Sequence, residues 1–263
     1  MAGPSAPTEL RFSKSCPFTS TTVNIELTSH APGPRANRPP RAENPAVLVC
    51  DLQEKFRNAI YEFDSMYATL TLPLSPSPSL VPRRRRRKKK TNTTTSVATT
   101  TKLLTFANAV NIPVHATTQT AAKLGPTVPA LASLLPSPPH DKTKFSMLIP
   151  PLAAALPPAS RVALVGIESH ICITQTALDL RDAGHFPYVI ADAVSSCNRT
   201  EVIIALDRLR AEHGVTVTSS ESWMYECMGD ASNPAFKTLI GVVKGAVADT
   251  KKVLETLPPT SKI

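Results

Sequence analysis

Apolar residues along this chain fall into short runs separated by helix-length segments with an apolar face. Ala46-Val47-Leu48-Val49-Cys50 is a continuous apolar run, the pattern of a strand buried on both faces. Similar patterns predict strands at Val114 to Thr117, Val162 to Val165, Tyr188 to Ala191 and Val215 to Thr218. Between them, Cys172 to Ala183 and Glu201 to His213 carry apolar residues at helical spacing: Ile173, Ala177 and Leu180 in the first, Val202, Leu206 and Leu209 in the second. Asp51-Leu52-Gln53-Glu54 has the spacing of a capping box and predicts a helix start directly after the first strand. A helical pattern also runs through Lys102 to Ala109, and it joins best to the Tyr61 region if the sequence between is looped out. Strands alternating with helices imply an α/β fold with a parallel sheet and right-handed crossovers. In such sheets functional sites gather at the carboxyl ends of the strands, which is where Asp51 and the segment Glu168 to Cys172 fall.

Two stretches break the pattern. Residues 1–44 are rich in Pro, Ser, Thr and Arg and lack periodicity, so they are expected to form a disordered arm. Residues from about 70 to 99 run through a Leu-Pro-Ser repeat, the block Arg83 to Lys90 and a Thr-rich tract, which predicts an insertion that builds no core. One domain over 45–245 with a tail at 246–263 is the resulting organisation. The net charge of +9 does not alter this picture, because eight of the 29 basic residues lie in that one block and the 21 others face 20 acidic residues. Nucleic acid is thus not expected as a partner of the fold itself, although the block alone resembles a nuclear or nucleic-acid-binding element. No run of eighteen apolar residues and no apolar signal core is present, so the expected location is the cytoplasm, with a mitochondrial presequence or nuclear entry as alternatives.

The five cysteines, Cys16, Cys50, Cys172, Cys197 and Cys227, form no CxxC pair and no zinc-ligand spacing, and are read as reduced thiols. Cys172 stands out because it opens a helix just past a strand, where free N–H groups favour a thiolate and can hold an oxyanion. A packed cysteine is the plain alternative. Asp51 fits either a general base at a strand end or an ordinary helix cap. Lys142 fits either a buried cation beside an anionic group or a solvated loop lysine. His115 and His170 are weaker candidates for a Cys–His pair, since a histidine adjacent to a nucleophile in sequence usually points away from it. Neither a G-x-G-x-x-G nor a P-loop motif occurs, which removes the main support for nucleotide binding.

Read together, Asn44 to Phe56, Thr117-Thr118-Gln119, Leu124 to Val128, Lys142 to Met147 and Gly166 to Ile173 occur in the order seen in the isochorismatase-like hydrolase family. The chain most resembles the eukaryotic isochorismatase-domain-containing branch. That resemblance implies a three-layer, Rossmann-like fold with a six-stranded parallel sheet, and a catalytic triad of Asp51, Lys142 and Cys172. It also implies a non-proline cis peptide at Ile167–Glu168, an oxyanion hole from the backbone N–H groups of Glu168 and Cys172, and a homo-oligomer. Gln53, Phe56 and Gln119 are expected to line the pocket. The nicotinamidase branch carries an Asp-and-histidine metal site where this chain has Gln119 to Lys123, so no metal and no cofactor are expected. Members that cleave the vinyl ether of isochorismate do so without a cysteine nucleophile. Cys172 therefore points to a cysteine-dependent hydrolase of a small carbon–nitrogen substrate, with a catalytically idle interaction protein as the alternative.

Overall fold

The computed structural model describes residues 43–63 and 95–257, so the expected N-terminal arm and the basic block lie outside the described residues. Six parallel strands form one sheet: β1 (Pro45–Cys50), β2 (Val114–Gln119), β3 (His140–Lys142), β4 (Arg161–Ile167), β5 (Phe186–Ser195) and β6 (Thr216–Thr218), in the order β3-β2-β1-β4-β5-β6. The helices are α1 (Thr95–Ala109), α2 (Ala121–Leu124), α3 (Pro129–Ala132), α4 (Pro150–Ala155), α5 (Thr174–Asp182), α6 (Arg199–Ala211), α7 (Ser220–Met228), α8 (Phe236–Gly245) and α9 (Val247–Thr256).

Side chains alternate across each strand, and in β1 both sets are apolar. Val47 and Val49 pack with Leu103, Leu104 and Phe106 of α1, Trp223 of α7 and Leu239 of α8. Leu48 and Cys50 belong to the opposite layer, with Leu152 of α4, Ile173 and Leu180 near α5, and Leu206 and Leu209 of α6. The expected three-layer α/β architecture is therefore present. Strand order reverses between β1 and β4, and in open parallel sheets ligands bind outside the carboxyl ends of the strands at such a switch point.

Four local expectations fail, each for an identifiable reason. Asp51 caps no helix: its φ is 51°, its carboxylate turns to other partners, and the chain makes only a 3-10 turn over Glu54–Phe56. Residues 61–63 form turn rather than the start of a long helix. The expected insertion ends before residue 99, because Thr95 opens α1, and Val97, Ala98 and Thr99 are buried. Nor is 246–257 a tail. Helix α9 buries Val253 and packs on α1, with the Lys102 ammonium donating to Thr250 Oγ1 at 3.0 Å. Strand β3 leaves no periodic signal in the sequence, since only three residues of it pair, at the sheet edge beside β2.

Gly166 is what allows β1 and β4 to meet so closely. It pairs with Cys50 at φ 129°, and a Cβ there would lie 2.1 Å from the Cys50 carbonyl oxygen. Gly166→Ala should accordingly cost about 3 kcal/mol, from backbone overlap and a φ that side chains resist. A urea titration will check this; an unchanged midpoint would contradict it.

Candidate active site at the ends of β1 and β4

The left-handed turn at Asp51 swings its carboxylate out of the strand's alternation and over the strand end. One oxygen, Oδ1, accepts from Thr117 Oγ1 at 2.8 Å. The other, Oδ2, accepts from the Lys142 ammonium at 2.7 Å and from the Cys50 thiol at 3.4 Å. Both members of the Asp51–Lys142 pair are almost wholly excluded from solvent, with side-chain exposures of 2% and 1%. Lys142 comes from the end of β3, two strands away, and gives its remaining protons to Gln119 Oε1 at 2.7 Å and the Phe145 carbonyl at 3.1 Å. All three ammonium donors are thus used, which is what holds a charge stably in a dry site.

Cys172 reaches the same place from β4. After Ile167 the chain turns through Glu168 at φ 56° and then winds one wide turn over Ser169–Ile173, with five-residue spacing, before α5 begins. Such π-type turns are uncommon and recur at functional sites. The turn is pinned by its own polar groups. Thr174 Oγ1 donates to the Ser169 carbonyl at 2.6 Å, Thr176 Oγ1 to the Cys172 carbonyl at 2.6 Å, and Ser169 Oγ to the Ser195 carbonyl at 3.0 Å. Cys172 is buried, and its sulfur, the Cys50 sulfur and an Asp51 carboxylate oxygen all lie within 4.8 Å of one another.

The three residues expected as a triad therefore converge. The expected cis peptide does not occur: among the described residues every peptide bond is trans, and the reversal is made by the left-handed Glu168 together with Gly166. Gln53 and Gln119 are committed elsewhere than to open space. The Gln53 amide donates to the Gly125 carbonyl at 2.7 Å and to the Gln119 carbonyl at 3.3 Å, and accepts from the Gln119 N–H at 2.7 Å. Gln119 holds Lys142 through Oε1 and donates from Nε2 to the Thr143 carbonyl at 2.9 Å. Phe56 packs against the α1-side core. His115 lies mid-strand opposite Leu48, and burial followed by nearby His140 lowers its pKa. His170 turns its Nδ1 to Ser196 Oγ at 3.1 Å.

Cys50 is the residue that motif reading passed over. Alternation along β1 sets it in phase with Leu48, on the α5 face, and so beside Cys172. Its thiol pKa is raised well above the ordinary value, first by burial, then by hydrogen bonding to Cys172, then by the Asp51 carboxylate. It therefore keeps its proton at neutral pH and donates to Asp51.

Residues 45–222 match the model of the isochorismatase domain. The secreted isochorismatase effector Isc1 of Phytophthora sojae is 36% identical over 206 residues, covering 75% of this chain and 83% of that protein. Isochorismatase domain-containing protein 1 of Danio rerio is 34% identical over 207 residues, or 76% of this chain and 62% of that protein. Among solved structures, the MAR1 ribonuclease of Caenorhabditis elegans superposes with a TM-score of 0.60 at 31% identity, covering 84% of this chain and 95% of the other. With a family match across the sheet from β1 into α7, and relatives above 30% identity over three quarters of its length, this chain belongs to the isochorismatase-domain family.

Proposed function

We propose that this chain is a cysteine-dependent hydrolase of small carbon–nitrogen substrates, acting through a thioester on Cys172. The observation that carries this reading is the convergence of the Cys172 sulfur on a buried Asp51 carboxylate that Lys142 orients and neutralises, at the switch point of the sheet. Asp51 takes the thiol proton as Cys172 attacks the carbonyl, and passes it to the departing nitrogen. Water then attacks the thioester, losing a proton to Asp51, which releases the acid and restores the thiol. The N–H groups of Glu168 and Cys172 are the proposed oxyanion donors, both carried on the pinned turn. Gln53 and Gln119 act as positioning residues: one fixes the strand-end loops, the other holds Lys142.

Acid or ammonia release from a panel of small amides and ureas tests the proposal. Turnover of at least one member is expected, with an RNA substrate left intact as the control that the likeness to the worm MAR1 ribonuclease calls for. Cleavage of RNA alone would replace this reading with a nuclease, and inertness towards every substrate would favour an idle interaction protein. Activity should survive dialysis against a chelator, because each step above uses only side chains and backbone. Loss of turnover that added zinc restores would contradict this.

Among the described residues no helix is long and apolar enough to cross a membrane. The unpaired thiols of Cys50 and Cys172 fit a reducing compartment, and we place the activity in the cytoplasm. The exposed Val247 and Leu254 of α9 suit self-association. Light scattering should accordingly give a mass above that of one chain.

A further inference from the structure

We propose that Glu168, His170 and Cys197 form a binding site for a borderline-soft divalent cation, zinc in the first place, at the ends of β4 and β5. Their ligand atoms, one carboxylate oxygen, one imidazole nitrogen and one sulfur, all lie within 4.8 Å of one another. Glu168 Oε2 stands 3.5 Å from His170 Nδ1. Tetrahedral zinc, with bonds of about 2.0 Å to nitrogen and oxygen and about 2.3 Å to sulfur, sets its ligands roughly 3.3 to 3.7 Å apart. Only a small contraction is then needed for the trio to close on an ion.

The register of the sheet builds this arrangement. Ile167 pairs with Ser195, so the residues that follow each strand, Glu168 to His170 and Ser196 to Cys197, emerge side by side. The Cys197 N–H donates to Glu168 Oε2 at 3.2 Å, which holds the carboxylate over the cysteine. The base is fixed by Ser169 Oγ on the Ser195 carbonyl, by the Tyr61 N–H on the Ser196 carbonyl at 2.8 Å, and by the Ser195 hydroxyl on the Tyr61 carbonyl.

Charge and access also fit. A carboxylate, a thiolate and a neutral imidazole balance a divalent cation, and Cys197 is exposed, which leaves a path for the ion and a fourth position for water. The Cys197 thiol gives up a proton to solvent as the metal–sulfur bond forms. His170 Nδ1 exchanges its contact with Ser196 Oγ for the ion. Sulfur and imidazole ligands discriminate against magnesium and calcium, which take oxygen. Sequence spacing hides the site, since Cys197 lies 27 residues beyond His170. The site is not required for the hydrolysis proposed above. It lies on the turn that carries Cys172, and a bound ion would stiffen that turn.

The test is a zinc titration of the full chain against a chromophoric chelator, with cobalt added separately to read the thiolate-to-metal charge-transfer band. Wild type and Cys172→Ala should bind one zinc ion equally and show the band, while magnesium and calcium compete for neither. Cys197→Ala and His170→Ala should each weaken zinc by at least about 100-fold, and Cys197→Ala should lose the band. Thermal unfolding of each variant without metal confirms that the fold is intact. Undiminished binding by Cys197→Ala, binding lost instead in Cys172→Ala, or no zinc bound by wild type at micromolar concentration would each overturn the proposal. The second outcome would place the ion at Cys50, Asp51 and Cys172.

Discussion

Replacing Cys172 by alanine is expected to lower turnover of any amide found to be a substrate by on the order of 10³-fold or more, with little change in stability. The size of the effect follows from the step that is lost. Without the sulfur no thioester forms, and an Asp51-activated water must attack the amide directly, on a carbonyl positioned for a different nucleophile. Asp51, Lys142 and the pinned turn stay in place, so some rate above the uncatalysed reaction should persist. Stability should hardly move, because the sulfur is a single atom at the strand ends and Cys172→Ala removes no buried charge. Kinetics on purified variant and wild type, alongside their urea midpoints, separate this outcome from simple unfolding. Undiminished turnover by the variant would end the nucleophile assignment.

Lys142→Met should have the largest effect on stability. It keeps most of the side-chain volume but leaves the Asp51 carboxylate buried against Thr117 and Cys50 with its cation gone. Breaking a buried pair from one side typically costs about 3 to 5 kcal/mol, since the remaining charge must be neutralised or solvated. For a domain of this size that corresponds to a fall in Tm of roughly 10 °C. Gln119 Oε1 and the Phe145 carbonyl lose their donor as well. The double variant Asp51→Asn, Lys142→Met should recover part of the loss, because it removes the stranded charge. Calorimetry of the two variants checks both statements; a fall of only a degree or two in the single variant would show that the pair is far better solvated than its burial implies.

Much of the frame was legible because it rests on strong periodic signals. The apolar run Ala46 to Cys50 suits a strand covered on both faces, and Ile173, Ala177 and Leu180 recur at the spacing of one helical face and are buried in one layer. The parts that were not legible are those in which tertiary contacts overrule local preference. Asp51 to Glu54 reads as a capping box, yet Lys142 and Thr117 compete for the same carboxylate, and Asp51 takes a left-handed conformation in place of the extended one typical of a capping residue. Strand β3 carries Lys142 but pairs over three residues, too few to leave a period. The tail expected from 246 is helical because α1 offers it an apolar face for Val253.

The candidate site divides in the same way. The family motifs singled out Asp51, Lys142 and Cys172, and the fold brings all three together at the strand ends. Gln53 and Gln119 were expected to face substrate, and their amides instead bind backbone and Lys142. The neighbourhood of Cys50 and Cys172 follows from strand phase plus strand order, and the grouping of Glu168, His170 and Cys197 from sheet register. Neither relation exists in one dimension.

Mixing the wild-type protein with the amide panel, quenching in acid and mapping the peptides by mass tests the central claim most directly, because it looks for the covalent intermediate itself. An acyl increment on the peptide containing Cys172, absent in Cys172→Ala and discharged by hydroxylamine, is the predicted result. Turnover without any acyl increment on Cys172, or an increment carried by another residue, would contradict it.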